Sequence, residues 1–408
     1  MADAPLRHAR VAVAALFLTN GALLASVLPH YPGIKDDLDL SNSAYGLAVA
    51  AFPTGAMVAG LAAGVLIRRF RSSRIAVAGT FLTSGGLLLA GLAPSWITLA
   101  VALFLAGSFD AITDVAQNAH GLRVQRRYGR SILNSFHAVW SIGAVLGGLM
   151  AAGAIALDLS RGVHLGVSAV LFSLVTVVVY RFLLPGPEDG SPASAEVGAA
   201  APARIGRGYL IIAALVLIAV GATIVEDAGN SWAAVYLSGS LGTTASVAAF
   251  GFIALVGAQF VGRMIGDRLV DRFGQRAVAR TGGLITAGGM GLALAVPTVP
   301  GTIAGFAAAG FGVATLVPAA MHAADELPGF EPGTALTLVS WLMRLGFLAS
   351  PPIIGVISDA TSLRAGLLMV PFAGVLAILL AGVLSRRRSS ADPPASTDRP
   401  AEVPVTTG

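Results

Sequence analysis

Two carboxylates lie in an apolar part of the chain, where solubility cannot explain them. Asp110 and Asp114 are four residues apart, and no charged residue occurs between Trp96 and Ser108. A helix through this stretch carries Asp110 about 20 Å from Trp96 at 1.5 Å per residue, close to the middle of a bilayer. A charge there costs about 2.5 to 3.5 kcal/mol on insertion scales, so it usually serves a function. The pair predicts proton exchange or solute binding inside a membrane, and a structural ion pair is the alternative.

Other polar residues could take part in the same chemistry. Asn118 continues the four-residue spacing of the two acids, so all three share one helix face. His137 and Trp140 are three residues apart on the next predicted helix. An imidazole beside a buried acid suits proton transfer, and an indole can stack on a sugar ring. A hydrogen bond near the helix end and core packing are the alternatives. Asp110, Asp114 and His137 are therefore proton-coupling candidates, and Asn118 and Trp140 are cavity candidates.

Two polar residues stand alone in apolar segments. Asn20 lies midway along the first segment, where an amide either faces a solute cavity or bonds to a neighbouring helix. Arg344 is the only charged residue of its segment, about 16 Å along it, and it needs a counter-ion or an anionic ligand. Both are cavity candidates. The Pro351–Pro352 pair that follows is predicted to kink or break this helix.

A further polar cluster lies in the seventh apolar segment. It contains two acids, Glu226 and Asp227, followed by the cavity candidates Asn230 and Trp232. We expect it to end the segment at the outer face, where Gly229 can break the helix. Adjacent residues do not share a helix face, so at most one acid should point into a cavity. Both acids are proton-coupling candidates, and an exposed helix end is the alternative.

The composition is that of an integral membrane protein. Of 408 residues, 55% are hydrophobic and 12% are charged, compared with about 25% charged in soluble domains. The chain has no cysteine, which excludes disulfides and thiolate metal sites. It has no Walker loop, no nucleophile elbow and no metal-spaced histidine cluster, so we expect no cofactor and no enzymatic activity. The basic residues form short clusters between apolar segments, which favours membrane orientation over nucleic-acid binding.

Twelve apolar segments are long enough to cross a bilayer as helices, which takes about 20 residues each. The predicted segments are 11–28, 44–67, 75–93, 96–118, 131–157, 163–184, 209–225, 247–270, 277–296, 302–324, 334–357 and 365–384. If both termini are cytoplasmic, nearly all arginines fall on the inner side, as the positive-inside rule requires. We therefore predict an all-α protein of the cell inner membrane with both termini in the cytoplasm.

The chain divides into two similar halves. The predicted parts are a first six-helix half (1–184), a cytoplasmic linker (185–207), a second six-helix half (208–385) and a disordered cytoplasmic tail (386–408). A shift of 203 positions places Ser41–Phe70 over Thr244–Phe273. Two six-helix pseudo-repeats of this kind enclose a central cavity in transporters, with the solute site near the bilayer midplane.

The loop after the eighth segment carries a charged motif, GDRLVDRFGQR, from Gly266 to Arg276. It resembles the inner-loop signature of the major facilitator superfamily, which joins the second and third helices of each half. The residues that match it are Gly266, Asp267, Asp271, Arg272, Gly274 and Arg276. The resemblance spans about residues 10 to 385. It implies a monomeric secondary transporter that exposes its cavity alternately to the two sides of the membrane.

The first half departs from this signature. Arg68 stands at the position of the acid that normally closes the inner gate by pairing with helix ends, and Arg71 stands at the position of the glycine. Asp271 is therefore expected to close the gate alone, and Arg68 could instead pair with an acid such as Asp114. Arg263, which precedes the signature in the second half, is assigned to this gating loop.

Two stretches of the sequence resemble one particular branch of this superfamily. DVAQNAHG from Asp114 to Gly121 and NSFHAVWSIG from Asn134 to Gly143 resemble the fucose-permease-like branch. This implies proton-coupled uptake of a small polar solute such as a sugar, with Asp110 as the main coupling residue. The alternatives are proton-driven efflux of amphiphilic compounds and, as a different class, a membrane sensor that does not transport.

Overall fold

The computed structural model describes residues 4–129, 132–186, 205–330 and 333–385, and the chain within these ranges forms helices and no β-strands. Its twelve long helices are α1 (Ala4–Asp37), α2 (Asn42–Phe70), α3 (Ser72–Gly91), α4 (Trp96–Tyr128), α5 (Ser135–Ala156), α6 (Arg161–Tyr180), α7 (Gly208–Ser240), α8 (Ala245–Phe273), α9 (Gln275–Ala295), α10 (Val299–Asp325), α11 (Thr334–Ala360) and α12 (Leu363–Val383). The prediction of an all-α, twelve-helix membrane protein is confirmed. Most of the predicted linker and the whole predicted tail lie outside the described residues.

Eleven of these helices are long and apolar enough to span a membrane. The exception, α9, has 21 residues, but five glycines and two arginines lower its mean hydropathy. Large apolar side chains cover the outside of the bundle; Leu61, Leu210 and Leu379 are each at least 71% exposed. A surface of this kind is stable in lipid and not in water.

We call the end of the bundle that holds the start of α1 the proximal end, and the opposite end the distal end. Even-numbered helices therefore begin at the distal end. Five of the six have a side-chain cap, in which an oxygen accepts the backbone N–H three residues later; the capping residues are Ser41, Ser95, Ser160, Thr298 and Ser362. Each cap satisfies a donor that the first turn leaves free and contributes about 1 kcal/mol.

The repeat is visible in the backbone of the proximal loops. Gly274 follows α8 with φ +83° and ψ 154°, and Arg71, 203 positions earlier, follows α2 with φ +74° and ψ 144°. This conformation favours glycine, and another residue there loses about 1 to 3 kcal/mol. The first half thus keeps the loop shape of the signature although it lacks the signature's glycine.

Two seams join the halves, α2 against α11 and α5 against α8. At the first seam, a methyl group on Gly46 would overlap the carbonyl oxygen of Pro351, and one on Gly355 would overlap the carbonyl oxygen of Asn42. At the second, Gly148 faces the side chains of Phe252 and Ile253. All these contacts lie toward the distal end, where the small residues let the helices pack closely.

The helix is broken neither at Gly229 nor at the two prolines of α11, and the kink that was the alternative at the prolines stays a prediction. Gly229 does not end the seventh segment; α7 continues to Ser240 through π-helical turns at Ala228–Trp232 and Tyr236–Ser240. Backbone groups at membrane depth must stay hydrogen-bonded, so a wide turn absorbs the glycine and no open end forms.

In α11, the irregular turn is at Met343, and the two prolines lie inside the continuous helix Arg344–Ala360. Thr223 donates a hydrogen bond to the Met343 carbonyl oxygen (2.9 Å), and the same oxygen accepts the backbone N–H of Gly346 three residues later (3.0 Å). The Pro351 carbonyl is covered by Gly46 of α2. A neighbouring helix can shield backbone groups that proline disturbs, and the helix then stays intact.

Candidate functional site

The polar residues of both halves meet on the inner faces of α1, α4, α5, α7, α8 and α11. The close contacts between the halves lie toward the distal end, and His137 and Arg344 are exposed although both belong to membrane-spanning helices. The space between the halves is therefore open toward the proximal end. We call it the central cavity, with a first wall (α1, α4 and α5) and a second wall (α7, α8 and α11).

A hydrogen-bonded relay connects three helices of the first wall. The Trp140 Nε1 donates to Asn20 Oδ1 (2.8 Å), and Asn20 Nδ2 donates to Asp110 Oδ1 (2.7 Å). Asn20 is 6% exposed, so its amide is used within the protein and is not free for a solute. The relay fixes the Asp110 carboxylate with neutral partners, and no cation contacts it among the described residues.

Asp114 lies one helical turn closer to the proximal end. Asn118 Nδ2 donates to its Oδ1 (3.0 Å) and to its carbonyl oxygen (2.9 Å), so Asn118 is engaged within its own helix. His137 and Arg344 are the charged or titratable groups of other helices that act on Asp114 electrostatically. The ring of His137 packs edge-on against Phe17, with 5.2 Å between ring centroids. Asp114 thus interacts with groups of both walls of the central cavity.

The second wall holds an acid with a cationic partner. Glu226 Oε2 accepts a hydrogen bond from Gln259 Nε2 (2.8 Å) and lies 3.6 Å from an Arg263 guanidinium nitrogen. Arg263 therefore serves the cavity and not the gating loop, which corrects our assignment. Pattern reasoning missed Gln259, whose only signal was a lone amide in an apolar segment.

Asp227 lies behind this wall and not at an exposed helix end. It is 6% exposed, and its Oδ1 accepts from Ser231 Oγ (3.1 Å). The Ser231 carbonyl oxygen accepts from the Tyr45 hydroxyl of the first half (2.6 Å), and the Tyr45 ring packs edge-on on Trp232 at 4.9 Å. Because α7 does not end near Asn230, these residues form a distal core between the halves. Trp232 is fully buried and therefore cannot line the cavity.

One carboxylate clamps the distal end. Asp359 of α11 accepts the backbone N–H groups of Asn42 (2.9 Å) and Ser43 (2.8 Å), which begin α2 in the other half. A carboxylate at a helix N-terminus satisfies free donors and the helix dipole together. We call this arrangement the distal clamp. It holds the distal end closed and was not predicted, because the two partners are more than 300 residues apart in sequence.

The residues of the gating loop lie at the proximal end. Gly266 is buried against the Thr315 side chain, and Arg276 caps the end of α12 by donating to the Leu384 (3.1 Å) and Gly382 carbonyl oxygens. Asp267, Asp271, Arg272 and Arg68 are exposed, and none forms an ion pair with another described residue. The structure does not bring Arg68 to Asp114, and the gate contact of Asp271 stays a prediction.

A second proximal contact joins α4 to the residues that follow α6. Arg123 of α4 is 2% exposed and donates to the carbonyl oxygens of Leu184 (3.3 Å) and Pro185 (2.5 Å), just after α6. His120 accepts the Leu184 N–H (3.1 Å) and bonds to Ser72 (2.8 Å). Both residues therefore hold helix ends together, and they do not line the cavity.

Comparison with known proteins agrees with this architecture. The sequence model of a family described as Major Facilitator Superfamily matches residues 12–269 and 215–407. An uncharacterized transporter, y4wD, of Sinorhizobium fredii is 32% identical over 381 residues, which cover 92% of this chain and 97% of that protein. The enterobactin exporter EntS of Shigella flexneri is 30% identical over 179 residues, covering 41% of this chain and 42% of the exporter.

Solved structures share the fold at low sequence identity. A bacterial homologue of the human lysosomal transporter Spinster, in an inward-facing and occupied conformation, has a TM-score of 0.73 at 15% identity, covering 94% of this chain and 97% of that one. A D-xylose–proton symporter has a TM-score of 0.66 at 16% identity, covering 92% and 95%. At these identities the likeness concerns the fold alone.

Proposed function

Because the chain belongs to the major facilitator superfamily, we propose that it is a secondary transporter that takes up a small polar solute together with protons. The observation that carries this proposal is the relay Trp140–Asn20–Asp110, which holds a carboxylate with neutral partners inside the membrane. The narrower likeness to the fucose-permease-like branch, with a sugar as solute, is part of the proposal.

The asymmetry between the two ends supports alternating access. The distal end is closed by the distal clamp and by the packing of Gly46 and Gly355, whereas the central cavity is open at the proximal end. Basic residues concentrate at the proximal ends of the helices, so this end faces the cytoplasm of a cell inner membrane and both termini lie inside. The halves then move as 1–184 and 208–385, and the protein acts as a monomer.

Asp110 is suited to carry the coupling proton. An ionised carboxylate without a cation is costly at membrane depth, and protonation removes that cost. The neutral partners Asn20 and Trp140 can remain in place when the charge changes, which an arginine partner could not do without being left unpaired. Proton binding at Asp110 would therefore change the charge of the cavity without dismantling its first wall.

The test is Asp110→Asn in purified protein reconstituted into liposomes. We expect proton-driven accumulation to be lost, while exchange of solute across the membrane continues, since exchange needs no net proton movement. The amide is nearly isosteric, so an unchanged melting temperature serves as the folding control. Accumulation that survives the substitution would show Asp110 to be structural, and absence of exchange in the native protein would point to a sensor.

The similarity to enterobactin exporters supports a second candidate, proton-driven efflux of amphiphilic compounds. Transport assays on proteoliposomes that hold the protein in either orientation distinguish the uptake candidate from the efflux candidate. Uptake requires the solute and the proton to move in one direction, and efflux requires opposite directions.

A further inference from the structure

The two walls of the central cavity carry unequal charge. The first wall presents Asp110 and Asp114, and the second presents Glu226, Arg263 and Arg344. Glu226 is matched by Arg263 at 3.6 Å. Arg344 is exposed and forms neither an ion pair nor a side-chain hydrogen bond with any residue in the described ranges. The second wall thus has one guanidinium left for a ligand.

A free guanidinium at this depth calls for an anion. Arginine presents a planar set of donors that matches a carboxylate in two parallel hydrogen bonds. The nearest acid on the facing wall, Asp114, acts on Arg344 only at a distance, and Asn118 already occupies one Asp114 oxygen. A ligand carboxylate between the walls would satisfy Arg344 directly.

We infer that the solute is a small polar monocarboxylate, that Arg344 binds its carboxylate, and that one proton accompanies each anion. This inference rests on the proposed proton-coupled transport and specifies its solute. It also replaces the neutral sugar of that proposal with an acidic one.

Charge balance explains why anion and proton would travel together. With His137 neutral, the three carboxylates and two guanidiniums of the cavity sum to a charge of −1. A monoanion alone raises the negative charge inside a low-dielectric space, which opposes binding. A proton taken up by an acid of the first wall restores the original charge. The loaded and empty cavities then carry equal charge, so net transport of one anion with one proton moves no charge across the membrane.

Binding can be tested with defined probes. We would measure the melting temperature of detergent-purified protein with D-gluconate, D-glucuronate and L-lactate, and with D-glucose and glycerol as neutral partners. A ligand that binds the folded state raises this temperature. We expect at least one acid to stabilise the protein and its neutral partner not to do so. Stabilisation by the neutral compounds alone, or by none of the acids, would overturn the inference.

Variants of Arg344 show whether this residue binds the carboxylate of the acid. Arg344→Gln should weaken binding of the acid by about 10- to 100-fold, as expected for a lost charge-assisted hydrogen bond. Arg344→Lys should recover part of the affinity. Arg181→Gln, which removes an equal charge outside the cavity, is the matched control and should bind normally. Equal binding by all four proteins would exclude Arg344 as the anion site.

Transport into liposomes separates this inference from the proposed function. Accumulation of the acid should follow a pH gradient and should not respond to a potassium diffusion potential set with valinomycin. Proton-driven accumulation of a neutral sugar that responds to the potential would leave the proposed function standing and overturn the inference. An acid that binds through Arg344 but is transported without proton dependence would leave the anion site standing and overturn proton coupling.

Discussion

The two halves of the molecule share one backbone plan but treat their central acids differently. In the first half, Asp110 is held by the neutral side chain of Asn20, and in the second half Glu226 is held by the cation Arg263 and by Gln259. A neutral partner tolerates a change in protonation, whereas an ion pair stabilises only the charged acid. Asp110 can therefore change its protonation state without losing its partner, whereas Glu226 is stabilised in its charged form.

A similar asymmetry separates the two seams between the halves. The start of α2 receives the Asp359 carboxylate, while the described residues place no carboxylate on the start of α8. The glycines also differ: Gly355 meets the backbone of Asn42, but Gly148 meets flexible side chains of Phe252 and Ile253. The α2/α11 seam is therefore the rigid one.

The largest expected effect tests this difference between seams. Gly355→Val cannot be accommodated next to the Asn42 backbone, so the distal end should stay open and net transport should stop. Gly148→Val should reduce transport less, because side chains can move aside. The chain has no cysteine, so labelling of Ser43→Cys by an impermeant maleimide reports distal opening directly.

Gly60→Val is the control for Gly355→Val, since nothing lies within 4 Å of an added methyl group there. If Gly355→Val and Gly148→Val impair transport equally, the difference in rigidity between the seams is refuted.

A smaller effect tests the difference between the acids. Arg263→Gln should lower stability by about 1 to 2 kcal/mol, between the values for exposed and buried ion pairs, because its side chain is 40% exposed and that of Glu226 18%. Adding Glu226→Gln should restore most of the loss, since no unpaired charge remains. Melting temperatures of the two single variants and the double variant measure this coupling.

The corresponding pair of single variants and double variant in the first half, Asn20→Leu and Asp110→Asn, should behave differently. Asn20→Leu removes partners from both Asp110 and Trp140, so Asp110→Asn cannot restore the lost indole bond. Full recovery in that double variant would mean that charge, and not hydrogen bonding, governs both halves alike.

The smallest effect is expected for Arg71→Gly in the first proximal loop, and its counterpart in the second half is Gly274→Arg. Arg71→Gly should raise stability by about 1 kcal/mol, because the strain that it relieves at a non-glycine residue with positive φ outweighs the extra chain entropy that glycine gains on unfolding. Gly274→Arg should lower stability by about 1 to 3 kcal/mol for the same reason. Thermal unfolding in detergent measures both, and a destabilised Arg71→Gly would show that the Arg71 side chain contributes more than its strain costs.

Local features of this protein followed from its sequence, and distant pairings did not. The spacing of Asp110 and Asp114 predicted one polar helix face, because that depends only on helix geometry. The 203-residue shift predicted a repeated loop, because two segments of the chain are similar in sequence. The bond from Trp140 to Asn20 joins residues 120 positions apart, and periodicity carries no information about such a partner. The end predicted at Gly229 was wrong because glycine breaks helices in water, whereas lipid penalises an open backbone.

The distal clamp also has a consequence for the turnover of the carrier. Its two hydrogen bonds exist only while the distal end is closed, so they stabilise one of the two states between which the empty protein must alternate. In the proposed uptake cycle, these bonds have to break before the next solute can enter from outside. We therefore expect the return of the empty carrier to limit the rate, and the protein to rest with its vacant cavity toward the cytoplasm. The cell would then hold carriers that wait with their cavities open to the inside.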